Sequence, residues 1–212
     1  MAVVTWIGHS CFKIEKEGYT IILDPYADGS VPGFLPIREK ANLVLCSHEH
    51  TDHNGRSCVT IEDPDLPCPY TITEMTTFHD DAEGTLRGMN TVHILECRAG
   101  KIVHLGDLGT MLTDEQLALV RNCSLLMIPV GGYYTIDADT AAALVDRIHP
   151  NIVLPMHYHN EFKRLDYDVL DCVERFTEQM VTVIHKDSSC VTMHEHAKDQ
   201  PTEVMILRPQ NC

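Results

Sequence analysis

The segment Ser47-His48-Glu49-His50-Thr51-Asp52-His53 brings three imidazoles and two carboxylates within seven residues. It follows the apolar run Leu43-Val44-Leu45-Cys46, which reads as a strand, so the histidines fall on the loop where that strand stops. Neutral imidazole is the commonest protein ligand for transition metals. His48 and His50, two apart on an extended loop, can face one side and hold one ion, while Asp52 and His53 can turn to a second ion close by. Imidazole and carboxylate without thiolate suit zinc or manganese and also admit iron. Two such divalent ions could activate a water and polarise a carbonyl or phosphoryl oxygen, which is the chemistry of hydrolysis.

A pair of ions needs more than four ligands, because each takes about four and one position must stay open to water. Three further residues stand where a strand should end: His79 after Thr76-Thr77-Phe78, Asp107 after His104-Leu105-Gly106, and His157 after Ile152-Val153-Leu154-Pro155-Met156. His9, in the turn Gly8-His9-Ser10, either reaches the metal edge, to contact substrate or to support a ligand, or simply holds its turn. Arg87 is a candidate for an anionic substrate group, with an internal salt bridge as the competing role. Tyr133 and Tyr134, after a double glycine, either line the pocket or pack. His159, His185, His194 and His196 carry no assignment.

The elements that must position these residues change character along the chain. Short strands are expected at Ala2 to Ile7, Cys11 to Glu15, Thr20 to Leu23 and Leu43 to Cys46, and another from Tyr70 to Thr77. Asp28 to Pro36, with two glycines and two prolines, reads as a surface loop able to shape a pocket mouth. From Thr91 onward, strands at Thr91 to Glu96, Ile102 to Leu105, Leu125 to Pro129 and Asn151 to Pro155 alternate with helices. Thr113 with Gln116 three residues on is a capping-box start; Asp137 to Ile148 and Tyr167 to Gln179 are the other expected helices. Strands close the chain near Val181 to Ile184, Cys190 to Met193 and Val204 to Leu207. The pattern suggests two sheets packed face to face with helices outside, an α/β arrangement, although one mixed sheet also fits it.

The 212 residues are expected to form one domain, 1–212, with 44% hydrophobic and 22% charged residues, an ordinary globular balance. Thirty-one acidic against 16 basic residues leave a net charge of −15, which repels polyanions and argues against nucleic-acid or anionic-membrane binding. The nine cysteines include no C-x-x-C pair, and no apolar run approaches a bilayer span. With no basic leader ahead of Val3-Val4-Thr5-Trp6-Ile7, these features point to thiols in a reducing cytoplasm. Oligomeric state is not legible, though the apolar strand Val204 to Leu207 could serve a homo-oligomer interface.

Through H-x-H-x-D-H at His48, His50, Asp52 and His53 the sequence resembles the metallo-β-lactamase superfamily. Thr5-Trp6-Ile7-Gly8-His9-Ser10, Asp24-Pro25, Arg87-Gly88-Met89-Asn90-Thr91, His104-Leu105-Gly106-Asp107-Leu108-Gly109, Pro129-Val130-Gly131-Gly132 and Pro155-Met156-His157-Tyr158 look like the branch containing ascorbate-6-phosphate lactonase. The resemblance implies a four-layer αββα sandwich with metals at one edge of the paired sheets. It implies that His48, His50 and His79 hold one ion, that Asp52, His53 and His157 hold the other, and that Asp107 bridges them, which leaves His104 as a strand residue. Lactonases of that branch are longer, with extra substrate-pocket segments, so their substrate does not transfer. The expected activity is hydrolysis of a small-molecule lactone, ester or phosphodiester by a hydroxide between the ions, with Asp52 and Asp107 as the carboxylates that serve it. Two other classes remain open: a metal-bound scaffold without turnover, and a di-iron oxidoreductase served by a separate flavin protein.

Overall fold

The computed structural model describes residues 1–160, 164–193 and 201–212. Its strands are β1 (Ala2–Gly8), β2 (Cys11–Lys16), β3 (Tyr19–Leu23), β4 (Glu39–Ala41), β5 (Leu43–Leu45), β6 (Val59–Ile61), β7 (Thr71–Phe78), β8 (Met89–Cys97), β9 (Gly100–His104), β10 (Leu125–Pro129), β11 (Ile152–Met156), β12 (Val183–His185), β13 (Cys190–Met193) and β14 (Glu203–Ile206). The helices are α1 (Asp114–Val120), α2 (Ala138–Ile148) and the single turn α3 (Glu174–Thr177).

Two sheets carry the fold, in the orders β13-β1-β2-β3-β5 and β12-β14-β11-β10-β9-β8-β7, with β4 and β6 as a separate parallel pair. Alternation along the first sheet sorts its side chains to two faces. Val4, Trp6, Phe12, Ile14, Ile21 and Leu23 join the main core, which they share with Val92, Ile94, Ile102 and Val103 of the second sheet. Ile7, Cys11 and Ile22 point the other way, into a smaller cluster with Tyr26, Val31, Ile37 and Val59. That outer face is therefore covered by the loop after β3 and by the β4–β6 pair. On the second sheet, β10 is buried along its whole length, as expected for a parallel strand covered on both faces. Helices α1 and α2 connect its parallel strands and bury Leu117, Val120, Ala141, Leu144 and Ile148 in the main core. The result is an α/β sandwich of two packed sheets, as expected.

Thr113 caps α1 with the full reciprocal box to Gln116, and the Asp137 side chain caps α2 by accepting from the Thr140 N–H. The helix expected from Tyr167 to Gln179 shrinks to α3. The backbone of Tyr167 to Cys172 is engaged elsewhere: Asp171 N–H donates to the Gly131 carbonyl, His159 N–H donates to the Asp171 carbonyl, and His159 bridges Cys172. A segment tied sideways in this way cannot form the i→i−4 ladder of a helix. The short strands β4 and β6 were not anticipated. His194 and His196 lie outside the described residues. Among the described residues no helix is long and apolar enough to cross a membrane.

Candidate metal centre

Six strand exits meet at one edge of the two sheets, the usual ligand position at the carboxyl ends of strands. β1 leads into His9, β3 into Asp24, β5 into the His48–His53 loop, β7 into His79, β9 into Asp107 and β11 into His157. Three of the first residues past a strand, His9 (φ 52°), Asp24 (φ 43°) and His157 (φ 54°), adopt the left-handed conformation that non-glycine residues rarely take. Each turns its side chain out of the strand direction and into the edge. At the exit of β9 a glycine does the same: Gly106 has φ 56°, and a Cβ there would collide with Asn90 and Ser47.

Asp107 stands at the centre, 2% exposed. Its Oδ2 lies 3.2 Å from His53 Nε2, 3.3 Å from His157 Nε2, 3.4 Å from His79 Nε2 and 3.9 Å from His48 Nε2. Three groups of side chains have ligand atoms close enough to hold an ion: His48, His50 and His79; His48, His53 and Asp107; and His9, Asp52, His53 and His157, with the atoms of each within 4.8 Å of one another. All seven metal-site residues expected from the sequence thus gather in one place, joined by His9. The donor set passes a simple chemical check: His48 Nε2 is buried without a hydrogen-bond partner 3.9 Å from Asp107 Oδ2, and Asp107 Oδ1 is likewise unpaired. Buried polar atoms left unpaired cost about 1–3 kcal/mol each, so a ligand that satisfies them is the economical explanation.

A second ring of contacts orients the imidazoles. Asp24, fully buried, accepts from Ser47 N–H (2.6 Å), Ser47 Oγ (2.6 Å) and His53 Nδ1 (2.7 Å). Its bond to Nδ1 fixes a proton there and makes Nε2, the ring atom aimed at Asp107, the one that would give up its proton to a bound ion. Ser47 Oγ also meets His48 Nδ1 at 2.9 Å. Asp107 N–H donates to Asn90 Oδ1 (2.8 Å), while the Asn90 amide donates to the Leu105 carbonyl and Thr77 Oγ1. His9 Nδ1 is 2.6 Å from Asp166 Oδ2, and its Nε2 is 3.3 Å from His53 Nε2.

Charge is balanced within this buried cluster. Burial favours uncharged Asp107, but His157 and His53 outweigh it and hold the carboxyl well below the usual range. Burial likewise opposes charge on His53, and Asp107 with Asp24 overcomes it, raising that imidazole. His48 is pushed down to about 3 by burial and by His53, so it is neutral and able to donate a lone pair to an ion. His9 is raised to about 9 because Asp166 more than offsets burial.

A cavity of about 240 Å³ opens onto the cluster, lined by His50, Asp52, His79, Asp107 and His157 with Arg87, Tyr134 and Tyr167. Tyr134, rather than Tyr133, lines it; Tyr133 is 65% exposed beside a neighbouring cleft. Arg87 forms no ion pair among the described residues: it donates to the Tyr133 carbonyl and lies over the Tyr134 ring. His104 spends both nitrogens on backbone, accepting from Gly106 N–H and meeting the Ser10 carbonyl, as a strand residue should. Asp166, Tyr167 and Asn90 escaped the reading of the sequence for site roles. The signal for Asn90 lay in its place within Arg87-Gly88-Met89-Asn90-Thr91; Asp166 and Tyr167 offered none.

Two packed sheets carrying a histidine and aspartate cluster along one edge define a metal-dependent hydrolase of the metallo-β-lactamase type. The chain belongs to the β-lactamase superfamily, whose domain model matches residues 3–157. It is 27% identical over 198 residues to a "UPF0173 metal-dependent hydrolase" of Caldivirga maquilingensis, covering 79% of this chain and 86% of that one. A protein of the same description from Methanocaldococcus jannaschii is 25% identical over 214 residues, covering 86% and 95%. Among solved structures, a candidate zinc-dependent hydrolase of the metallo-β-lactamase superfamily from Thermotoga maritima superposes with a TM-score of 0.74 at 30% identity, over 98% of this chain and 100% of that one.

Proposed function

We propose that this chain hydrolyses a small-molecule ester, lactone or phosphodiester at a dinuclear metal centre. His48, His50 and His79 would hold one divalent ion and Asp52, His53 and His157 the other, with Asp107 shared by both. The observation that carries this reading is the convergence of His53, His79 and His157 Nε2 on Asp107 Oδ2 within 3.4 Å, beside a buried His48 Nε2 that has no partner. The imidazole and carboxylate donors favour zinc or manganese and admit iron. The chemistry such ions would supply is Lewis-acid activation of a water and polarisation of the oxygen under attack.

The chain's own groups do the rest. Asp107, tied at its N–H by Asn90, keeps its carboxylate fixed where the imidazoles meet. The Asp52 side chain is 18% exposed and lines the cavity, which supports a second role for its carboxylate in accepting a hydrogen bond from the attacking water and aiming it. Tyr167 OH gives its one proton to the Ser30 carbonyl at 2.7 Å and stands 3.4 Å from Asp52 Oδ2 on the wall of the same cavity. The volume of the cavity suits a small molecule, and the net charge of −15 disfavours a nucleic acid. Nine cysteines without a C-x-x-C pair fit a reducing cytoplasm.

The test is turnover of a chromogenic lactone, phosphodiester and carboxylic ester before and after chelation. Turnover of at least one, lost on stripping and restored by zinc or manganese, is expected. Metal-dependent stabilisation with no turnover of any substrate would make the protein a scaffold.

A further inference from the structure

Arg87 occupies an unusual place in an acidic chain. It lines the cavity over the candidate metal centre and also an outer cleft of about 470 Å³, and Tyr134 is the other residue common to both. Among the described residues it has no carboxylate partner, although the chain carries almost two acidic residues for each basic one.

Its loop is built to hold it there. The Asp80 carboxylate accepts four backbone N–H groups, from Ala82 and Gly84 at 2.9 Å, Leu86 at 3.0 Å and Arg87 at 2.7 Å. Gly88 N–H closes on the Gly84 carbonyl, and His79 N–H closes on that of Gly88. The guanidinium is then braced on two sides, by the Tyr133 carbonyl at 3.1 Å and by the Tyr134 ring, whose centroid lies 5.5 Å from its central carbon. One of five donors is spent and the remainder are left for a ligand. The other charged groups on the outer cleft are carboxylates, and two are occupied: Asp80 by its four amides and Asp137 by Thr140 N–H. Asp81 stays exposed.

We infer that Arg87 selects substrates carrying an oxyanion, a carboxylate or phosphoryl group, at a distance from the scissile bond, with the remainder of the molecule seated in the outer cleft. A planar fork braced by a carbonyl and a ring is preorganised for bidentate capture of such a group, so little rotamer freedom is lost on binding. Among the described residues lining either space, Arg87 is the one lysine or arginine. The inference rests on the metal-centre reading of the cavity, which supplies the other end of the substrate.

The test compares acetate with the dicarboxylates from malonate to adipate as probe ligands, by calorimetry on metal-loaded protein. At least one dicarboxylate binds the native chain about tenfold or more tighter than acetate, and Arg87→Met abolishes that preference while Arg87→Lys keeps part of it. No preference in the native chain would overturn the inference. A preference that survives in Arg87→Met, the sign of both carboxylates sitting on the ions, would overturn it too. In turnover, the kcat/KM ratio of 4-nitrophenyl hydrogen glutarate to 4-nitrophenyl valerate falls at least tenfold in Arg87→Met. If neither ester is cleaved but the binding preference depends on Arg87, the selection role stands and carboxylic esters leave the substrate list instead.

Discussion

Replacing Asp24 by Asn changes the proton arrangement of the centre without touching a candidate ligand. Asparagine tolerates the left-handed φ of 43° and keeps the volume of the side chain, so the backbone need not move. Its Oδ1 can still accept from Ser47 N–H, and Ser47 Oγ can turn to accept from the new amide. His53 Nδ1, however, now faces an NH₂ donor at the position that was a carboxylate oxygen 2.7 Å away. The imidazole escapes this clash only by accepting at Nδ1, which puts its proton on Nε2, the atom directed at Asp107. A protonated Nε2 cannot bind a metal. Loss of such an orienting carboxylate weakens metal binding by roughly 10–100-fold, about 1.4–2.7 kcal/mol. Competition with a chromogenic chelator measures this directly for each ion. The reasoning predicts that one ion, the one proposed for Asp52, His53 and His157, weakens by this factor while the other changes less. Affinities for both ions within twofold of the native chain would refute it.

Asn90→Ala leaves the Asp107 N–H and the Leu105 carbonyl buried without partners, and a stability loss of about 3 kcal/mol is expected in urea titration; a loss under about 1 kcal/mol would contradict the role given to Asn90. In chelator-treated protein the raised His9 contributes stability that is complete below pH 6.5 and is lost as pH rises through about 9. The stability gap between the native chain and His9→Asn should therefore narrow across that window, and a gap that widens would reverse the sign of the argument. Thr113→Ala removes one arm of the capping box on α1 and should cost about 1 kcal/mol in thermal unfolding, with no change in metal content; an unaltered Tm would show that the cap is dispensable.

What the sequence discloses depends on how local the cause is. The strands β1, β2, β3 and β10 are legible because alternation or continuous burial is written into neighbouring residues, and α1 because Thr113 and Gln116 cap it within three positions. The candidate ligands are legible because their residue types are rare and stand at strand ends. The groups that orient them are not: Asp166 meets His9 across 157 positions, and Asp24 meets His53 across 29. The left-handed turns at His9, Asp24 and His157 are equally hidden: His and Asp enter that region more readily than most residues, but no local signal says which of them will, and the tertiary convergence imposes it. The same cause defeats the expected helix at Tyr167 to Gln179, whose first half is recruited to brace Gly131 and His159. The pair β4 and β6 is missed because three residues are too few to show a period.

The central claim is two ions held by two sets of ligands, and metal counting on the native chain, His50→Ala and His157→Ala tests it most directly. Elemental analysis of protein purified without chelator should give about two ions per chain, falling to about one in each variant, with the variants losing different ions. One ion per chain in the native protein, or full retention of both ions in the two variants, would contradict the account.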